Sequence, residues 1–143
     1  MNKTKNNIKR CAGGIVYNKD KEIFLMQCDY KWGDKWLVPG GKIKENESPE
    51  AAFEREIKEE LGVDIKNIIK IGEKIKKPSE DFFDKNTEFH FFDFIAEAKT
   101  TKIIPNQEVT NYTWIEANKA LKELNLVDST ESFIRKYLEI IDK

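Results

Sequence analysis

Residues 54–60 read Glu-Arg-Glu-Ile-Lys-Glu-Glu. On a helix each residue advances about 100°, so Glu59 and Glu60 fall within roughly 60° of Glu56, one on either side. The three carboxylates share one stripe. Phe53, Ile57 and Leu61 form a second stripe beside it that must face the core, so the acids border the protein body. Like charges at such spacings destabilise a helix by roughly 0.2–0.5 kcal/mol per pair. Two readings of the pattern remain: a solvated charged face, or a set of hard oxygen ligands whose repulsion is relieved by a divalent cation such as Mg²⁺.

The surrounding residues favour the second. Gly41, Glu47, Arg55-Glu56-Ile57, Glu59-Glu60 and Gly62-Val63 stand in the order Gly, five residues, Glu, seven residues, Arg-Glu, an aliphatic, any residue, Glu-Glu, any residue, Gly, an aliphatic. This spacing resembles the Nudix box, and Trp36-Leu37-Val38-Pro39-Gly40-Gly41 resembles the approach to it. The chain is thus similar to Nudix hydrolases, in particular the MutT-like nucleotide pyrophosphohydrolases. The resemblance implies an α/β/α sandwich with a mixed sheet, and Mg²⁺-dependent cleavage of a phosphoanhydride, with Mn²⁺ as a substitute.

Carried over position by position, the resemblance makes Glu56, Glu59 and Glu60 metal ligands, with Glu56 or Glu60 also a candidate for handling the attacking water. Gly41 would offer its carbonyl to a metal, a close approach that a missing side chain permits. Arg55 would orient the glutamates by charge-assisted hydrogen bonds. Glu47 would steady the loop–helix junction, Gly40 would belong to the turn, and Gly62 would close the helix. Many family members add a carboxylate from the loop before the last strand. Glu108 occupies that place, with Glu97 as second choice.

These residues need a scaffold, and the sequence outlines one. Residues 8–18 and 23–26 predict a hairpin around Asn18-Lys19-Asp20, and Trp36-Leu37-Val38 predicts a short strand ended by Pro39-Gly40-Gly41. Ser48-Pro49-Glu50 supplies an N-cap, a first-turn proline and an acid near the positive dipole end, and Gly62 a C-terminal stop. A strand or two over 63–76 precedes a polar loop over 77–86. In the long strand over 87–98, Phe89, Phe91 and Ile95 alternate with Phe92, Phe94 and Ala96, so it should lie centrally with both faces covered. A last strand over 109–115 leads to helices near 116–123 and 129–141. No repeat or Pro/Ser-rich linker interrupts this order, which predicts one domain over 1–143 with residues 1–7 flexible.

The composition narrows the partners. Hydrophobic residues make up 39% and charged residues 36%, and 25 basic against 26 acidic side chains leave a formal charge of −1. Nothing in that balance would hold a long polyanion by counterion release, so the expected partner is a small nucleotide. There is no apolar run of about 18 residues to span a membrane and no apolar leader, so the expected place is the cytoplasm, as monomer or homodimer. Cys11 and Cys28 sit in apolar runs as small hydrophobes. His90, amid phenylalanines, reads as structural. Trp32 and Phe82 could stack on a base, Lys35 could meet phosphates, and Asn125 and Asp128 stand where small family members approach the base. The preferred reading is a nucleoside triphosphate, possibly oxidised, cut to monophosphate and pyrophosphate. The alternatives are a diphosphate-linked substrate such as ADP-ribose, for which Pro78 lies near a proline that such hydrolases carry, and a nucleotide sensor that does not cut.

Overall fold

In this computed structural model the described residues are 7–28, 33–78 and 86–141. The strands are β1 (Asn7–Tyr17), β2 (Glu22–Cys28), β3 (Gly40–Lys42), β4 (Ile65–Lys76), β5 (Thr87–Ala98) and β6 (Val109–Glu116). The helices are α1 (Pro49–Leu61), α2 (Ala117–Glu123) and α3 (Asp128–Ile141). Five strands form a sheet in the order β4-β5-β1-β2-β6, and β3 pairs with β1 beside that path. The β1–β5 pair is parallel and the others are antiparallel, so the sheet is mixed.

Alternation along the strands builds two apolar layers. Val16, Phe94 and Ala96 point to α1, where they meet Phe53, Ile57 and Leu61. The Phe53 and Phe94 rings stack with centroids 5.3 Å apart. Their neighbours Ile15 and Ile95 point the other way, with Ile134 and Tyr137 of α3. The long apolar strand is flanked on both sides and covered on both faces, as its pattern required. The sandwich expected from the sequence is present.

The helix ends follow local chemistry. Ser48 caps α1 by accepting the Ala51 N–H at 3.1 Å. Gly62 ends it in the left-handed region, at φ 73, and donates its N–H to the Lys58 carbonyl.

One expectation needs correcting. Trp36 and Leu37 form only isolated bridges, to Leu126 and Met26, and the strand proper begins at Gly40, where a stop was expected. The cause lies in β1, which forks. Its Tyr17 end pairs with β2, while Cys11, Ala12 and Gly13 pair with Lys42, Gly41 and Gly40. A Cβ on Gly40 would lie 2.5 Å from the Ala12 carbonyl oxygen, so only glycine lets β3 approach this closely.

Candidate active site

The fork brings β3 under α1, where the three glutamates meet different surroundings. Glu60 is only 8% exposed. Its Oε1 accepts the Gly40 N–H at 3.0 Å. Burial pushes its pKa up to about 8, opposed by that hydrogen bond and reinforced by the charges of Glu56, Glu108 and Glu59. Glu56 is half-buried, and burial raises its pKa too, opposed chiefly by Arg55. Its carboxylate lies against Gly41, where a Cβ would overlap it. Glu59 leaves about half of its side chain in solvent. The acids share a stripe with graded burial.

Arg55 ties the stripe to the loop before it. Its Nε and Nη2 donate to the two carboxylate oxygens of Glu47 at 2.8 and 3.0 Å. Nη1 donates to Glu56 at 2.8 Å and Glu59 at 3.1 Å, and Nη2 also reaches the Lys42 carbonyl at 2.9 Å. This planar fork uses all five of its N–H donors on four residues. The Arg55 hydrogen bonds hold the Glu47 carboxyl down at about 2, helped by the Lys44 N–H. Glu47 raises the Arg55 pKa in return. Arg55 thereby connects Glu47 and the Lys42 carbonyl to Glu56 and Glu59.

Among the described residues no three carboxylate, histidine or cysteine side chains converge into a ready-made metal cage. The carboxylates are engaged by Arg55 and by the Gly40 N–H instead. The donors are nonetheless all hard oxygens, and Gly41 leaves the space that Glu56 fills. Such a set fits Mg²⁺, which commonly takes one or two protein carboxylates and completes its shell with water and substrate phosphates.

Next to the glutamates, on the far side of Gly40 and Gly41, a cavity of about 680 Å³ opens between β1, β4, β5 and the start of α3. Lys35 and Asp128 line it. Asn125 does not: it is exposed, and its backbone carbonyl accepts the Trp36 N–H at 2.8 Å. Its part is to fix the segment before β3. Trp32 and Phe82 lie outside the described residues.

Glu108 is exposed, its N–H bonded to Asn106 Oδ1, yet its charge contributes to the shift of Glu60. The link is the preceding loop, which the backbone N–H groups of Ile104 and Asn106 fasten to the Leu61 and Glu60 carbonyls. Glu97, the second choice, is separated along β5 from the Gly13–Gly40 row by about 13 Å, four residues at strand rise, and accepts from Asn67. His90 pairs with Glu88 at 2.5 Å and does not line the cavity. Cys28 is buried, while Cys11 is half-buried on the cavity wall.

The sequence reading missed Asp93. It sits in the middle of β5, is 4% exposed and lines the cavity. A lone acid within Phe-His-Phe-Phe-Asp-Phe-Ile was the available signal, because carboxylates are depleted from strands and rarely buried without a purpose.

Known proteins share the sequence pattern and the fold. A model of the NUDIX domain matches residues 8–137. An 8-oxo-dGTP diphosphatase of Proteus vulgaris is 34% identical over 83 residues, which cover 57% of this chain and 70% of that protein. An 8-oxo-dGTP diphosphatase of Escherichia coli is 43% identical over 54 residues, but the match covers only 36% of this chain and 42% of that one. The crystal structure of a MutT protein from Methanosarcina mazei superposes with a TM-score of 0.76 at 19% identity, over 99% of this chain and 100% of that one.

Proposed function

The chain belongs to the Nudix family, and from that premise we propose that it hydrolyses a nucleoside triphosphate to the monophosphate and pyrophosphate, with Mg²⁺ as its metal and Mn²⁺ as a substitute. One observation carries the reading: a buried Glu60 and a half-buried Glu56, both with raised pKa, lie against Gly40 and Gly41, which line a cavity large enough for a nucleoside. The two similar diphosphatases support the triphosphate class.

In this reading Glu56, Glu59, Glu60 and the Gly41 carbonyl would hold the metal, with Glu108 as a further ligand. Bound Mg²⁺ would offset charge on the phosphates and lower the pKa of the attacking water. Glu60 would serve as a ligand only in its carboxylate form, which the Gly40 N–H steadies. In this reading Glu56 or Glu60 takes the water's proton. Arg55 is a positioning residue, braced by Glu47, and Gly62 closes the helix that carries the acids. Lys35 meets the phosphates, and Asp128 faces the nucleoside.

The test is a panel of nucleoside triphosphates and ADP-ribose, with products separated by ion exchange. The expected result is monophosphate plus pyrophosphate, only with divalent metal. Faster cleavage of ADP-ribose than of any triphosphate would transfer the activity to linked diphosphates. Thermal stabilisation by nucleotide and Ca²⁺ without product in Mg²⁺ would make the protein a sensor.

A further inference from the structure

We propose that Asp93 is a specificity-determining residue which, with Lys74, reads the ring edge of the base and favours one offering two adjacent N–H donors beside a carbonyl. The inference rests on the reading above, in which the cavity receives the nucleoside.

Its first support is placement. Asp93 pairs in register with Gly13, and Gly13 with Gly40, whose N–H holds Glu60. At about 4.8 Å per strand this row spans roughly 10 Å from Asp93 to Gly40, with Glu60 beyond it. A nucleoside with its first phosphate bridges such a distance. Gly13, between Asp93 and Gly40, and Gly40 itself contribute no side chain of their own to the row. A Cβ on Gly13 would already come within 3.1 Å of the Pro39 carbonyl oxygen.

The second support is how loosely Asp93 is compensated. Its side chain is 5% exposed, and burial raises its pKa, opposed by Lys74 and then Lys136. Yet Lys74 Nζ stands 3.7 Å from Oδ2, beyond ordinary hydrogen-bond length, whereas Arg55 and Glu47 close to 2.8 Å. A carboxylate kept only to pin strands together would gain from a tighter pair or from an apolar replacement. About four acceptor positions surround a carboxylate, so one long ion pair leaves capacity for a ligand. Lys74 is half-exposed over the Phe133 ring and lines the same cavity.

The chemistry then selects the edge. Ionised Asp93 only accepts and Lys74 only donates. A guanine-type ring presents N1–H and a 2-amino N–H side by side, with its 6-carbonyl next to them. Adenine and cytosine set an amino donor beside an acceptor nitrogen. Uracil and thymine flank one N–H with two carbonyls that would face the carboxylate. Oxidation at position 8 leaves the guanine edge unchanged, so this contact is blind to it.

The experiment compares binding of dGMP and dIMP, which differ only in the 2-amino group, by titration calorimetry without turnover. Wild type should bind dGMP at least about tenfold more tightly, the effect of one hydrogen bond to a charged acceptor. Asp93→Asn should bring the ratio within about threefold. Lys74→Met, on a half-exposed side chain, should weaken both ligands alike and keep the ratio. Equal affinities in wild type, or no dGMP binding, would overturn the inference whether or not Asp93→Asn folds. So would an unchanged ratio in a folded Asp93→Asn variant. Triphosphate turnover is measured separately, so its absence alongside intact discrimination would overturn the activity and not the role of Asp93.

Discussion

Glu60 shows how far residue type and spacing reach. The spacing put it on the acid stripe, but its burial depends on Gly40 arriving from another strand, which no local pattern encodes. The consequence is a sign that can be measured. Its folded pKa of about 8 exceeds the ordinary 4.5, so between those values the folded protein keeps a proton that the unfolded chain has lost. Metal-free stability should therefore fall as pH rises through that window and level off above it. Urea midpoints at pH 5, 7 and 9 test this. The advantage of Glu60→Gln over wild type should grow with pH, and parallel curves would contradict the assignment. At pH 7, metal uptake should release roughly one proton, seen as a calorimetric heat that depends on the buffer. Gly41 permits a second test. A Cβ there would overlap the Glu56 carboxylate, a flexible group that can swing away. Gly41→Ala should leave the melting temperature within a few degrees but lower kcat by about 100-fold, as expected of misplaced catalytic groups.

At the scale of elements, legibility followed locality. The limits of α1 could be read because Ser48, Pro49 and Gly62 act on their own turns. The two-faced β5 could be read because its alternation is internal. β3 could not: Gly40 and Gly41 carry no strand propensity, and they are extended because forked β1 offers partners. Asp93 escaped for a related reason, since its neighbours announced a covered strand and only the cavity gives the acid a role. The two caps of α1 should behave differently. Ser48→Ala removes one capping bond and should cost about 1 kcal/mol with kcat almost unchanged. Gly62→Ala forces a positive φ on a side chain, and its Cβ would stand 2.9 Å from Ile104. That shifts the loop fastened to Glu60 and carrying Glu108, so both stability and kcat should fall. Denaturation and steady-state rates on the two variants separate capping from positioning.

For the whole molecule, charge and composition pointed to a small ligand, and the fold supplies a cavity beside the acid stripe. Among the described residues no helix is long and apolar enough to cross a membrane. The cavity itself was not legible, because its walls come from β1, β4, β5 and α3, far apart in the chain. Lys35 and Asp128 line the cavity, while the Asn125 backbone carbonyl accepts the Trp36 N–H. The central claim is that the glutamates of α1 work as a metal-holding unit against a pyrophosphate. Pyrophosphate release from a nucleoside triphosphate, followed against Mg²⁺ concentration in wild type and in Glu56→Gln/Glu59→Gln/Glu60→Gln, tests it most directly. The account predicts release that saturates with Mg²⁺ in wild type and is lost in the folded variant. Undiminished release in that variant, or release in wild type that is indifferent to Mg²⁺ and Mn²⁺, would contradict it.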